Sequence, residues 1–277
     1  MKIEEYSFDY GIPLHNSPYL SKTIDCRFNL IQIELEVQNP EIIKDIIPYP
    51  LSYVDNKIIL SMNKVCEYKG GFPAYMDNLD WSEFLIQVPV ELDGNLFTYN
   101  CEGFVNNPVI LLVNREVFGY PKILSDIEIL KNGNDFEGVA KYFKTDKKIF
   151  SISFKSQRKG TPADVGEKRG LINLKVIPSA ENNKEPEVKQ LIVTQYKKQK
   201  VNNLEVGEGA VQLHDFAPEY LKKAGIKRVV KSLFLELELI VDGGKIIYNY
   251  KSLWLNKSLL VINNRLDRTQ FEDSLYL

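Results

Sequence analysis

The chain has 277 residues, of which 44% are hydrophobic and 26% are charged, as is usual for a globular protein with a substantial apolar core. Its 35 lysine and arginine residues against 37 aspartate and glutamate residues give a net charge of -2, which excludes a general electrostatic attraction to nucleic acid or to an anionic membrane. Its three cysteines, Cys26, Cys66 and Cys101, lack the C-x-x-C spacing of zinc sites and redox pairs, so we expect free thiols, no metal and no cofactor.

The first five residues include two acidic ones, Glu4 and Glu5, where a secretory signal would carry an apolar stretch. The longest apolar run, Val109 to Val113, is far too short to span a bilayer. We therefore expect a cytoplasmic protein with no membrane partner and no nucleic-acid partner.

Most of the chain is predicted to form β-strands. Alternating or β-rich runs recur, in chain order, at Leu30 to Val37, Lys57 to Val65, Phe84 to Leu92, Leu96 to Cys101, Phe150 to Phe154, Leu171 to Ile177 and Leu191 to Tyr196. The apolar run Val109 to Val113 is interpreted as a further strand. Two more strands, Ser232 to Val241 and Lys245 to Tyr250, are predicted to form a hairpin through Asp242-Gly243-Gly244.

Only two short helices are predicted, Pro40 to Ile47 and Pro218 to Ala224. Many strands joined by short turns indicate a mainly β fold of the α+β type, a closed or conical antiparallel β-barrel with a few short helices. We assign residues 1–252 to one domain and residues 253–277 to a C-terminal extension. Such a closed sheet can isolate a polar group from water.

The stretch from Asn107 to Leu124 carries the chemistry. It contains an Arg115-Glu116 pair and a glycine that permits a turn. Pro121, which has a fixed φ, then precedes Lys122 and two aliphatic residues. A free lysine has a pKa of about 10.4, and bringing it near 7 requires about 4 to 5 kcal/mol of destabilisation of the ammonium. Burial among apolar groups can supply this, so we predict that Lys122 is a nucleophilic amine that forms Schiff bases with carbonyl compounds.

The residues Arg115-Glu116-Val117-Phe118-Gly119-Tyr120-Pro121-Lys122 resemble the signature around the Schiff-base lysine of the acetoacetate decarboxylase family. Further stretches resemble the family in the same order: Pro48 to Leu51, Trp81-Ser82-Glu83 followed by Pro89-Val90, Leu174 to Pro178, and Val211 to His214 leading to Ile246 to Tyr250. The resemblance spans about Arg27 to Tyr250.

The resemblance implies roles for six residues. Lys122 takes the place of the Schiff-base lysine, and Glu83 that of an acid that orients substrate or moves a proton. Four others are candidates for substrate binding: Arg27, Ser61, Arg115 and Glu116. The only histidines, His15 and His214, are too few for a histidine triad or a histidine-rich metal site.

Two positions depart from the family pattern. Ile123 stands where a second lysine follows the nucleophile, and Ser61 appears where the family has a second acid, so desolvation alone is expected to activate Lys122. The resemblance implies a homo-oligomer that decarboxylates a small β-keto acid such as acetoacetate. The departures keep two alternatives open: aldol, dehydration or cyclisation chemistry on another keto acid, and a ligand-binding relative without activity.

Overall fold

The computed structural model describes residues 24–69, 80–133, 135–167 and 169–251. The predicted C-terminal extension, residues 253–277, lies outside these ranges. The described residues form one 11-stranded sheet. Its strands are β1 (Ile24–Val37), β2 (Ser52–Tyr53), β3 (Lys57–Lys69), β4 (Ser82–Leu92), β5 (Asn95–Val105), β6 (Lys122–Asn132), β7 (Asp135–Tyr142), β8 (Lys148–Lys159), β9 (Gly170–Ile177), β10 (Val188–Leu213) and β11 (Ile226–Asn249).

The sheet closes into a ring. Its strands follow one another in the order β4, β3, β1, β11, β10, β8, β7, β6 and β5, and β5 pairs again with β4. Strand β9 pairs with both β5 and β10. This ring, with few short helices, confirms the predicted mainly β fold.

The helices are short. They are α1 (Pro40–Lys44), α2 (Pro108–Val113), α3 (Pro162–Val165) and α4 (Glu219–Ala224), and a π-helix at Asn114–Phe118 follows α2. Within the described ranges, no helix is long and apolar enough to cross a membrane.

The run Val109 to Val113 is helical, so its interpretation as a strand was wrong. Asn107 caps the helix, because its Oδ1 accepts hydrogen bonds from the backbone N–H groups of Val109 and Ile110, and Pro108 occupies the first turn. Short apolar runs do not distinguish a buried helix from a strand by periodicity. This helical crossover allows β5 and β6 to pair in parallel, whereas the sequence predicted antiparallel pairing throughout.

The predicted hairpin at Asp242-Gly243-Gly244 is also absent from the structure. Strand β11 runs continuously through these residues and stays paired with β10, from Leu233 opposite Val206 to Asn249 opposite Gln190. The register shifts where Gly243 adopts φ +88, so the glycines form an irregularity within one long strand.

The main apolar core contains several phenylalanines. Phe150 packs edge-on against Phe84 and Phe104, with ring centroids 4.9 and 5.4 Å apart, and Phe136 stacks on Phe234 at 4.6 Å. Such aromatic pairs add to the stability gained by burying their area. They fix the strands that surround the candidate site.

Gly119 ends the π-helix and leads the chain into β6. Its φ of +78 lies in the left-handed region, and a Cβ built on it would stand 2.7 Å from the backbone of Lys175 in β9. Gly94 has the same φ, but a Cβ there would meet no atom within 4 Å. Gly119 is therefore required for both its conformation and its close approach to β9.

We expect Gly94→Ala to lower the free energy of unfolding by about 1–2 kcal/mol, the cost of the left-handed conformation alone. Gly119→Ala should cost about 1–3 kcal/mol more, because it also overpacks against the backbone of Lys175. Urea unfolding of both variants measures the difference. Equal losses would contradict a tight contact at Gly119.

Candidate active site

Lys122 is the first residue of β6 and is 3% exposed. It lies beside Gly103 of β5, and Gly103 in turn pairs with Leu85 of β4. A Cβ on Gly103 would stand 3.1 Å from Cγ of Lys122 and 3.0 Å from Leu85. The glycine thus leaves the space through which the lysine side chain crosses β5 and reaches β4.

The amine of Lys122 meets a carboxylate there. Its Nζ forms an ion pair and a hydrogen bond with Glu83 Oε2, and it donates a second hydrogen bond to Asn114 Oδ1 at 3.1 Å. Asn63 Nδ2 donates to the other oxygen of Glu83 at 2.9 Å. The side-chain amide of Asn114 therefore binds the amine of the pair, and that of Asn63 binds the carboxylate.

The π-helix positions Asn114. The side chain of Asn114 donates to the backbone carbonyl of Ile110 at 2.8 Å, and the backbone carbonyl of Asn114 accepts a hydrogen bond from the N–H of Tyr120 at 2.9 Å. Wide turns of this kind occur frequently at functional sites. Here the wide turn positions Asn114 and also sets the path of the chain that leads to Lys122.

The pair lines a cavity of about 140 Å³, which we call the lysine cavity. A cavity of about 150 Å³ holds a molecule the size of benzene. Its wall is mostly apolar and includes Phe28, Val65, Trp81, Ile110, Phe118 and Leu239. Of the lining residues in the described ranges, Glu83 and Lys122 alone carry a charged side chain.

The other titratable groups of the lysine cavity are held uncharged at neutral pH. Burial, together with the nearby carboxylates of Asp25 and Glu83, raises the pKa of the Cys26 thiol to about 12. Burial also raises the pKa of Tyr120 and Tyr196. The Tyr120 ring lies 5.0 Å from the Lys122 nitrogen.

A second cavity of about 180 Å³ adjoins the first, and we call it the annex. The two share Phe28, Asn63, Leu85, Leu171, Tyr196 and Leu239. Ser61 lines the annex and donates to Gln87 Oε1 at 2.8 Å. This begins a buried chain of hydrogen bonds that continues through Gln87, Asn100, Asn173 and Thr194 to Tyr120.

The structure brings Lys122 and Glu83 together and places Ser61 in the annex. It does not bring Arg27 to the cavity. Successive residues of a strand point to opposite faces, and because Cys26 and Phe28 line the lysine cavity, Arg27 points away, is 49% exposed and pairs with Glu67 at 3.6 Å. The expectation that Arg27 binds substrate is corrected accordingly.

Arg115 and Glu116 also lie outside both cavities. They belong to the π-helix, where Arg115 is exposed and Glu116 lies close enough to Lys175 for its charge to affect the pKa of that lysine. The π-helix turns Asn114 inward and these two residues outward. Their assignment to substrate binding is therefore corrected as well.

Sequence reasoning missed Asn63 and Asn114. Asn63 lies two residues after Ser61 on β3, so strand periodicity places both on one face and could have identified it. Asn114 had no such signal, because its role depends on the wide turn of the π-helix. Besides the apolar residues around it, Lys122 contacts Glu83 and Asn114.

Comparisons with known proteins agree with this fold. A family model described as acetoacetate decarboxylase matches residues 11–253. Acetoacetate decarboxylase from Clostridium acetobutylicum is 24% identical over 168 residues, which cover 59% of this chain and 66%, just under two thirds, of that relative.

Two solved structures illustrate the structural similarity. Acetoacetate decarboxylase from Legionella pneumophila has a TM-score of 0.76 at 21% identity, covering 90% of this chain and 95% of its own. The enduracididine biosynthesis enzyme MppR, complexed with the condensation product of pyruvate and imidazole 4-carboxaldehyde, has a TM-score of 0.75 at 15% identity, covering 87% and 97%. At these identities the similarity shows the shared fold.

We expect Glu83→Leu to lower the free energy of unfolding by about 3–5 kcal/mol, because it leaves the ammonium of Lys122 buried without its counter-ion. Adding Lys122→Met should recover most of that loss, since an apolar pair needs no counter-ion. Denaturant unfolding at neutral pH measures both variants.

The control is the surface pair of Lys141 and Glu128, which are 2.8 Å apart. Glu128→Leu should change stability little, because solvent screens an exposed pair. A double variant as unstable as Glu83→Leu alone would contradict the importance of the buried charge.

Proposed function

Because the chain belongs to the acetoacetate decarboxylase family, we propose that it is an enzyme that forms an imine between Lys122 and a small keto acid and then breaks a carbon–carbon bond. The first candidate reaction is decarboxylation of a β-keto acid resembling acetoacetate. We also propose that it works as a cytoplasmic homo-oligomer, without metal, cofactor, nucleic acid or membrane.

The observation that carries this proposal is the contact of the Lys122 amine with Glu83 at the wall of an apolar cavity. The hydrogen bond gives the ammonium proton a direct path to the carboxylate. After that transfer the amine has a free electron pair, and Glu83 holds a proton for the later steps.

The proposed reaction uses these two groups in sequence. The amine attacks the ketone carbon, and the carbonyl oxygen, protonated with help from Glu83, leaves as water to give a protonated imine. The bond to the carboxylate carbon then breaks, and its electrons move to the iminium nitrogen. Carbon dioxide departs, and an enamine remains on Lys122. Protonation of the enamine carbon and hydrolysis by water release the ketone and restore the amine.

Aldol, dehydration or cyclisation chemistry is the second candidate, and the charges of the cavity favour it. With Arg27 on the outside, no arginine among the described residues lines the lysine cavity, and Lys122 is already paired with Glu83. Both candidates bring one keto-acid carboxylate to this cavity, and the aldehyde partner in the second candidate is neutral and needs no counter-ion. The same imine, converted to an enamine, would attack an aldehyde instead of losing carbon dioxide.

Borohydride added with acetoacetate or pyruvate should reduce the imine and leave a stable adduct on Lys122, located by peptide mass spectrometry. Lys122→Met should abolish it. Lys175 is the internal control, because burial lowers its pKa and it would react first if a lowered pKa alone sufficed. Labelling of Lys175 in place of Lys122 would refute the proposal.

The two candidate reactions differ in their products. For the first, acetoacetate should release carbon dioxide at a rate that Glu83→Gln lowers by about 100-fold or more, since that variant cannot move a proton. Manometry or a coupled carbonate assay measures this. Condensation of pyruvate with an aldehyde, without carbon dioxide from acetoacetate, would replace the first candidate with the second.

A further inference from the structure

The annex is unlike the lysine cavity, because its wall is rich in polar groups. Gln32, Ser61, Gln87, Thr98 and Gln199 line it together with four charged side chains. A polar cavity inside a closed sheet costs stability unless its groups are bonded. The annex therefore requires an occupant or a network that satisfies these groups.

The charges of the annex cancel one another. Arg169 forms ion pairs with Asp55 at 3.0 Å and with Glu167 at 3.7 Å, and Lys231 lies 3.7 Å from Glu34. The four charged residues that line the annex, Glu34, Glu167, Arg169 and Lys231, thus carry two charges of each sign. An anionic or cationic ligand group would find no unpaired counter-ion among these four.

Three buried polar atoms along the path from the lysine cavity have no hydrogen-bond partner within the described residues. Asn63 Oδ1 belongs to a residue that is 8% exposed and lines both cavities, and Gln199 Oε1 and Arg169 Nε belong to side chains of the annex. Buried polar atoms are rarely left unbonded in native proteins. Two of these atoms accept hydrogen bonds and one donates.

A hydroxyl group both donates and accepts a hydrogen bond and carries no charge. We propose that the substrate is a hydroxylated carbonyl compound longer than acetoacetate, with its carbonyl at Lys122 and an uncharged tail of hydroxyl groups in the annex. The tail meets Asn63 Oδ1 at the junction and Gln199 Oε1 and Arg169 Nε beyond it. This inference rests on the imine at Lys122 for the carbonyl end, while the tail site stands on the annex alone.

The test compares three methyl ketones of equal chain length. One has an unsubstituted alkyl end, one has two hydroxyl groups at that end, and one has a terminal carboxylate. Borohydride trapping on Lys122 should be fastest, at equal concentration, for the hydroxylated ketone. Gln199→Leu should lower its advantage over the bare ketone by about five- to ten-fold, the effect of one lost neutral hydrogen bond. Gln199→Met, which has a similar length, gives a second version of the same test.

Two controls separate binding from folding. Gln212→Leu, on the same strand but exposed and outside both cavities, should leave the ratio unchanged. Gln199→Leu should not lower the melting temperature, because Gln199 Oε1 has no partner to lose in the free protein. A fall in melting temperature with no change in the ratio would indicate a structural role and overturn the proposal.

A fourth probe is independent of imine chemistry. The alcohol obtained by reducing the carbonyl of the hydroxylated ketone cannot react with Lys122, and its binding is measured by calorimetry. Binding that Gln199→Leu weakens supports the tail site even if no ketone is trapped, in which case the proposed function alone fails. No binding of this alcohol, or preferential trapping of the carboxylate-tailed ketone, would overturn the inference.

Discussion

The structure depends on keeping one ammonium and one carboxylate together in an apolar wall. Glu83 stands on β4 and Lys122 on β6, with β5 between them, so the lysine must cross a strand to reach its partner. Gly103 permits the crossing because a side chain at that position would meet Lys122. The parallel pairing of β5 and β6 follows the crossover through α2 and the π-helix, so these parts of the fold lead to this contact.

Several strands are readable from alternating or β-rich runs, and the two predicted helices from a proline at the start or a glycine after the end. The errors fall where a pattern has two solutions. The run from Val109 to Val113 suits a helix as well as a strand, and only the Asn107 cap decides. Asp242-Gly243-Gly244 suits a turn as well as an irregular strand, and only pairing with β10 decides, which is a contact distant in sequence.

The site was predictable to the extent that motifs and periodicity define it. The signature before Lys122 and the acid at Glu83 drew attention to the pair that the structure joins. The annex was not predictable, because the sequence pattern of its polar wall is the same as that of a strand with a solvent-exposed face. Gln32 and Glu34 alternate with the buried Ile31 and Ile33, and such a pattern ordinarily indicates a strand with one face in water.

The low polarity of the lysine cavity bears on which reaction it favours. A protonated imine that carries a β-carboxylate is a pair of opposite charges, and loss of carbon dioxide turns both into neutral products. Apolar surroundings stabilise the neutral products relative to that charged state. The missing arginine weakens binding of the keto-acid carboxylate in both candidate reactions, whereas the apolar wall favours departure of that carboxylate in decarboxylation alone. The two candidate reactions therefore differ in where the cavity helps: it assists the bond-breaking step of decarboxylation, and in aldol chemistry it accepts an aldehyde that needs no counter-ion.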